Sequence, residues 1–207
     1  MIRLWGRANS SNVMKVAWLL DELGLPCERI DAGGPFGGTQ DAAYRAMSPT
    51  GLVPALRDGD FTLFESNAIL RYLCNAHAPA SPLYPAPARP RAVVEAWMEV
   101  QQTELGPPQG RVFQGLIRQA PARRDTAAIG HAVREAGACW AMINDRLRDR
   151  AYIVGDQLTL ADVALGPHVH RWFHLPIARA DSVALRRWYD RLLARPAYAR
   201  HCTADLS

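Results

Sequence analysis

Ser10-Ser11-Asn12 stands directly before an apolar helical run, so two hydroxyls and a carboxamide sit at a helix start. N–H groups at such a terminus lack intrahelical partners, and side-chain donors beside them add to their pull on an anion. Glu65-Ser66 opens a second helix, in which Ile69, Leu70, Tyr72 and Leu73 recur at helical spacing. A carboxylate beside that terminus adds a place for a cation, so one corner can hold both charges of an amino-acid head group. Ser and Glu at helix starts are also ordinary capping residues. What favours binding is Pro54, inside the otherwise strand-like run Leu52 to Leu56. A proline gives no N–H to a ladder, so it marks an edge or a bend, often with a cis peptide bond. Val53 is then left with an N–H and a C=O to offer to an extended peptide ligand.

The elements that must position these groups follow from pattern. Leu52, Val53, Ala55 and Leu56 read as one strand and Phe61 to Phe64 as another, with Asp58-Gly59-Asp60 as the tight turn of an antiparallel hairpin. Ile2 to Trp5 reads as a strand. The apolar helix through Val13, Val16, Leu19, Leu20 and Leu23 stops at Gly24 with Pro26 beyond, and Cys27 to Asp31 reads as a second strand. A βαβ unit followed by ββα is the arrangement of a thioredoxin-like domain, assigned here to residues 1–78, while periodicity alone leaves other small α/β folds open. Residues 32–40 hold five glycines and prolines in nine positions, a loop that suits the wall of a cleft, with Phe36 and Gln40 as contacts. It lacks the lysine and following Ser/Thr of a phosphate-binding P-loop.

Five prolines crowd residues 78–90 and point to a linker over 79–90. Everything from 91 to 207 reads helical, so the fold class is α/β followed by an all-α bundle. Within it Pro107-Pro108 interrupts one helical pattern, Ala127 to Leu147 forms a long helix, and a last helix through Trp188 and Leu192 ends at Arg195-Pro196. Thr159-Leu160-Ala161-Asp162 has the form of a capping box, with Leu158 and Val163 as its hydrophobic staple.

With 207 residues, 49% of them hydrophobic, the chain can bury a sizeable core. A formal charge of +4 carried mostly by dispersed arginine suits anionic small molecules rather than nucleic acid, which asks for a denser basic patch. Cys27, Cys74, Cys139 and Cys202 are scattered without metal or disulfide spacing and read as reduced and structural; His168 and His170 fall on different helix faces, so no metal site is expected. There is neither a long apolar run nor a signal peptide, and a soluble cytoplasmic protein with no membrane partner is the expectation.

The run Pro-Thr-Gly-Leu-Val-Pro-Ala-Leu at 49–56, followed by Phe-Glu-Ser-Asn-Ala-Ile-Leu-Arg-Tyr-Leu at 64–73, resembles the glutathione-binding motif of the cytosolic glutathione transferases. The Thr159 to Asp162 box resembles a capping motif of the same family, so the likeness runs across both domains. It implies glutathione as co-substrate, a cis bond before Pro54, pairing of Val53's backbone with the cysteinyl part of glutathione, and Glu65 and Ser66 on the γ-glutamyl end.

A thiol transferase must keep a sulfur as thiolate, and one charge-assisted donor contributes roughly 1.5 to 3 kcal/mol, enough to lower a thiol pKa by one or two units. Ser11 aligns with the catalytic serine of theta-like transferases, while some bacterial members favour Ser10 and Asn12. The expectation is that Ser11 or Ser10 donates to the thiolate and Asn12 orients the tripeptide. The absence of tyrosine and cysteine here excludes tyrosine-using classes and speaks against a protein mixed disulfide. The opening Trp-Gly-Arg-x-Asn-Ser together with Arg111 resembles a bacterial subgroup acting on small halogenated acids, which implies Arg7 and Arg111 as contacts for a carboxylate-bearing electrophile. Glutathione-dependent reduction of disulfides or peroxides, and a non-catalytic protein-binding module, are the alternatives. The resemblance also implies a homodimer.

Overall fold

The computed structural model describes Met1 to Leu206. Four strands form one mixed sheet in the order β2-β1-β3-β4. Strand β1 (Ile2–Trp5) runs parallel to β2 (Cys27–Ile30) and antiparallel to β3 (Ala55–Asp58), which pairs with β4 (Phe61–Phe64). Helix α1 (Ser11–Glu22) connects β1 to β2. It ends as its sequence demands: Gly24 takes φ +64°, its N–H reaches Asp21 O, and the Leu25 N–H reaches Leu20 O, the paired bonds of a Schellman stop.

The first strand of the hairpin starts later than expected. The Val53–Pro54 bond is cis, and Leu52 and Val53 lie before the ladder, which opens at Ala55 because Pro54 has no N–H to give. Ahead of it the structure adds α2 (Ala42–Met47), whose six residues are too few to show a helical period. It buries Tyr44, whose hydroxyl donates to Leu52 O at 2.9 Å. Helix α3 (Ser66–His77) follows β4 directly.

The helical part begins with α4 (Ala88–Val100), inside the segment read as linker; Pro90 is in its first turn, where its missing N–H is not needed. Pro107-Pro108 does not interrupt the helix. A π-helical turn at Gln101–Leu105 passes straight into α5 (Gly106–Phe113) and then a second π turn at Gln114–Arg118. The wider turn ahead of the prolines absorbs the N–H groups they lack. Helices α6 (Thr126–Arg146), α7 (Leu160–His174) and α8 (Val183–Leu193) follow. The chain does not end with α8: Pro196, read as a stop, opens α9 (Pro196–Cys202) from the first helical position, where its fixed φ suits it.

Helix α1 joins the two parts. Its outer side packs against α3 and the sheet, and its inner side against α7 and α9, where Trp18 meets Tyr198 edge-on at 4.9 Å. Arg195 grips Glu22 with two bonds of 2.8 and 2.6 Å, tying the start of α9 to the end of α1. Helix α7 is buried along nearly its whole length. Its start is held by Asp162, which accepts from the N–H and hydroxyl of Thr159, the N–H of Ile153 and the indole of Trp188 at 2.9 to 3.0 Å. Burial pushes this carboxyl up to about 6, against the pull of those four donors. Among the described residues the cysteines are free, and no helix is long and apolar enough to cross a membrane.

Candidate active site

A cavity of about 520 Å³ opens between the sheet and the helical part. It gathers Arg7, Ser10, Ser11, Asn12, Gln40, Val53, Pro54, Glu65 and Ser66 from four separate segments of chain. The loop after β1 can pass this close because Gly6 has no side chain: a Cβ there would stand 2.4 Å from Val13 Cγ2 and 3.2 Å from Val53 Cβ. Phe36 is exposed and does not line the cavity.

The groups at the head of α1 are not spent on capping. Ser10 has the extended backbone of an N-cap but makes no side-chain cap bond. Asn12 Oδ1 accepts from the Ser66 hydroxyl at 3.3 Å, linking the starts of α1 and α3. Ser11 Oγ accepts from Arg171 Nη1 at 3.2 Å, while Arg171 Nη2 donates to Asn9 O at 2.6 Å. With one lone pair of Ser11 taken by a cation and no acceptor for its proton among the described residues, the hydroxyl is free to donate into the cavity.

Val53 makes no backbone hydrogen bond among the described residues; the nearby bonds go to Leu52, whose carbonyl accepts from Tyr44 and Ser48. Its N–H and C=O therefore remain open to an extended ligand. Glu65 stands at φ +68°, the one positive-φ residue among the described residues that is not glycine. Such a conformation costs of order 1 to 3 kcal/mol and is held where function needs the geometry. It turns the exposed carboxylate to the cavity edge, beside the first N–H groups of α3.

Arginine dominates the other wall. Arg171 sits on α7, its guanidinium 4.3 Å above the Phe113 ring, and burial followed by the charges of Arg7 and Arg118 lowers its pKa to about 10, so it stays protonated at neutral pH. The Arg7 side chain has no hydrogen-bond or carboxylate partner among the described residues, and its buried Nε is unsatisfied; only its backbone is bonded, to Ala32 and Ser10. Arg111 is not at the site. It lies on the outer face of α5 and pairs with Glu135 at 2.6 Å. The cavity-facing positions of that turn are Gly110 and Phe113, and Arg171, far away in sequence, supplies the second cation instead. Nothing local marks Arg171, since a lone arginine in a helix has no motif; only the buried, unbroken pattern of α7 hints at it. No cysteine lines the cavity, and burial raises the four thiols, to about 11 for Cys27 and Cys139 and about 12 for Cys74. Among the described residues no three His, Cys, Asp or Glu side chains cluster to hold a metal.

Comparison with known proteins points the same way across the chain. The family model for the glutathione S-transferase N-terminal domain matches residues 4–81, and that for the C-terminal domain residues 110–191. Glutathione S-transferase GstB of Escherichia coli K12 is 41% identical over 199 residues, 95% of each chain. Glutathione S-transferase 3 of Zea mays is 33% identical over 215 residues, covering 98% of this chain and 94% of the maize protein. Among solved structures, the theta class glutathione S-transferase of Xanthomonas axonopodis pv. citri with glutathione bound superposes with a TM-score of 0.95 at 40% identity, over 100% of this chain and 99% of that one.

Proposed function

The chain belongs to the glutathione S-transferase family, and from that premise we propose that it conjugates glutathione to a small carboxylate-bearing electrophile such as a halogenated acid. Val53 pairs its free N–H and C=O with the cysteinyl backbone of glutathione, running alongside the cis Pro54. The Glu65 carboxylate takes the γ-glutamyl ammonium. The N–H groups at the start of α3, that of Ser66 among them, take the carboxylate, and Asn12 and Gln40 complete the contacts. This places the sulfur at the head of α1.

There the Ser11 hydroxyl donates to the thiolate. The observation that carries this choice over Ser10 and Asn12 is the Arg171 bond to Ser11 Oγ, which occupies the oxygen and leaves the proton to point at sulfur. Asn12 is engaged with Ser66, and Ser10 forms the turn with its N–H on Arg7 O. The thiol proton leaves to solvent, the thiolate forms a bond to the carbon bearing the halogen, and the carbon–halogen bond breaks to release halide. Arg7, with its unsatisfied Nε, holds the electrophile's carboxylate. Ser11→Ala should lower turnover far more than glutathione affinity, while Ser10→Ala and Asn12→Ala change turnover less; equal effects of all three would remove Ser11 from its role.

We place the enzyme in the cytoplasm, where glutathione and free thiols coexist. We also propose a homodimer through the face of β4, α3 and α4. Phe61, 44% exposed, lies there against Tyr72 at 4.8 Å, and Val93 is 40% exposed. Sedimentation should give a dimer that Phe61→Glu dissociates.

A further inference from the structure

Twenty-three of the 24 Lys and Arg residues of this chain are arginine; the one lysine, Lys15, is completely buried. It lies one helical turn below Ser11 on α1. Its Nζ donates to Asn67 Oδ1 at 3.1 Å and to Gln101 Oε1 at 2.9 Å. Asn67 is the second residue of α3, directly behind the Glu65-Ser66 corner, and its own amide nitrogen donates to Met98 O. Gln101 opens the π turn after α4 and donates in turn to His168 Nε2 on α7 at 3.2 Å. The ammonium thus has two neutral amide oxygens and no carboxylate within bonding distance.

An unpaired buried cation is costly, and a fold keeps one only where something compensates. The charged and titratable groups that face it are few. Among the described residues Glu65, at the start of α3, is the one acid acting on it, and it stands exposed at the cavity edge. His168 is neutral, its pKa pushed down by burial and then by Lys15 and Arg171. The position also calls for lysine rather than arginine. Lysine carries a compact charge and gives up its proton readily when buried, as an arginine does not. Burial brings Lys15 down to about 7.

We infer that Lys15 is a positioning residue for the amino-acid end of glutathione, the internal counter-charge that answers the carboxylate arriving at the start of α3. The inference rests on the γ-glutamyl placement proposed above. Binding then draws a proton onto Lys15: the carboxylate arriving beside Asn67 favours the ammonium, and the head group's own ammonium on Glu65 offsets part of that pull, so the lysine pKa rises by about half a unit to one unit. Through Gln101 and His168 the same event is felt by the helical part of the enzyme.

A single lysine makes the test direct. Protein labelled with carbon-13 at lysine Cε gives one lysine signal, to be titrated with pH alone and with saturating S-methylglutathione, whose sulfur has no proton to lose. The expected result is a midpoint well below that of a free lysine that moves up by about half a unit or more on binding. Calorimetry in two buffers of different ionisation enthalpy should report the matching proton uptake near neutral pH, lost in Lys15→Met. An ordinary midpoint, or one unmoved while calorimetry shows the site filled, overturns the role of Lys15 and leaves the glutathione site standing. Failure of S-methylglutathione to bind overturns the site reading, and the inference with it.

Discussion

Replacing Arg7 by Met tests the electrophile side of the site, because the structure limits what else can compensate. Arg7 is the cation of this wall with an unsatisfied Nε, and Arg171 has its donors on Ser11 and Asn9. A carboxylate held by a guanidinium gains about 1.5 to 3 kcal/mol, and a neutral amide about 0.5 to 1.5. At about 1.4 kcal/mol per tenfold, Arg7→Met should lower kcat/KM for a haloacetate by about 10- to 150-fold, and for the corresponding haloacetamide by about tenfold at most. The assay is conjugation at fixed saturating glutathione, read as the ratio of the two substrates. Added salt should narrow the wild-type preference for the acid, since the cavity is open to ions. Equal losses on acid and amide would refute the reasoning: Arg7 would then shape the cavity without recognising charge.

Three further outcomes follow from packing and burial. Asp162→Ala leaves four donors without an acceptor at the start of α7 and should destabilise the fold by about 3 to 5 kcal/mol, measured by urea unfolding, with glutathione affinity of the folded fraction unchanged. Gly166→Ala puts a Cβ 2.5 Å from Trp18 Cζ3 and 3.0 Å from Tyr198 Cε2, so overpacking between α1 and α7 should cost about 1 to 3 kcal/mol, visible as a lower Tm. Above about pH 7 the folded chain has given up the Lys15 proton, whereas an unfolded lysine keeps it to about 10.4. The Lys15 contribution to stability therefore rises with pH across that window and is least below it, so the stability gap between Lys15→Met and wild type should shrink as pH rises from about 7 to about 10.

Much of this was written locally. The hydrophobic period of α1, its Gly24 stop, the hairpin turn at Gly59 and the Thr159–Asp162 box depend on neighbours within a few residues, so the fold class could be read from residue order, as could the lining segments at Ser10–Asn12, Val53–Pro54 and Glu65–Ser66, whereas Gln102, Phe113, Gln114 and Arg171 could not. The misplaced Pro54 and the Glu65-Ser66 pair were legible for the same reason: each breaks a local rule within a short span. Elements too short for a period, such as α2, were not legible, nor was the behaviour of Pro107-Pro108, which a π turn accommodates, or of Pro196, which opens a new helix.

What the tertiary structure alone decided is which distant side chain meets which. Arg111 sits in a motif-like place on α5 but faces outward to Glu135, while Arg171, 160 positions from Ser11, reaches its hydroxyl because α7 packs against α1. The solitary lysine is likewise plain in the composition, yet its burial beneath the start of α3 appears only once α1, α3 and the π turn close around it. Periodicity tells a residue which face of its own helix it occupies; only the packing of helix on helix tells it what that face will touch.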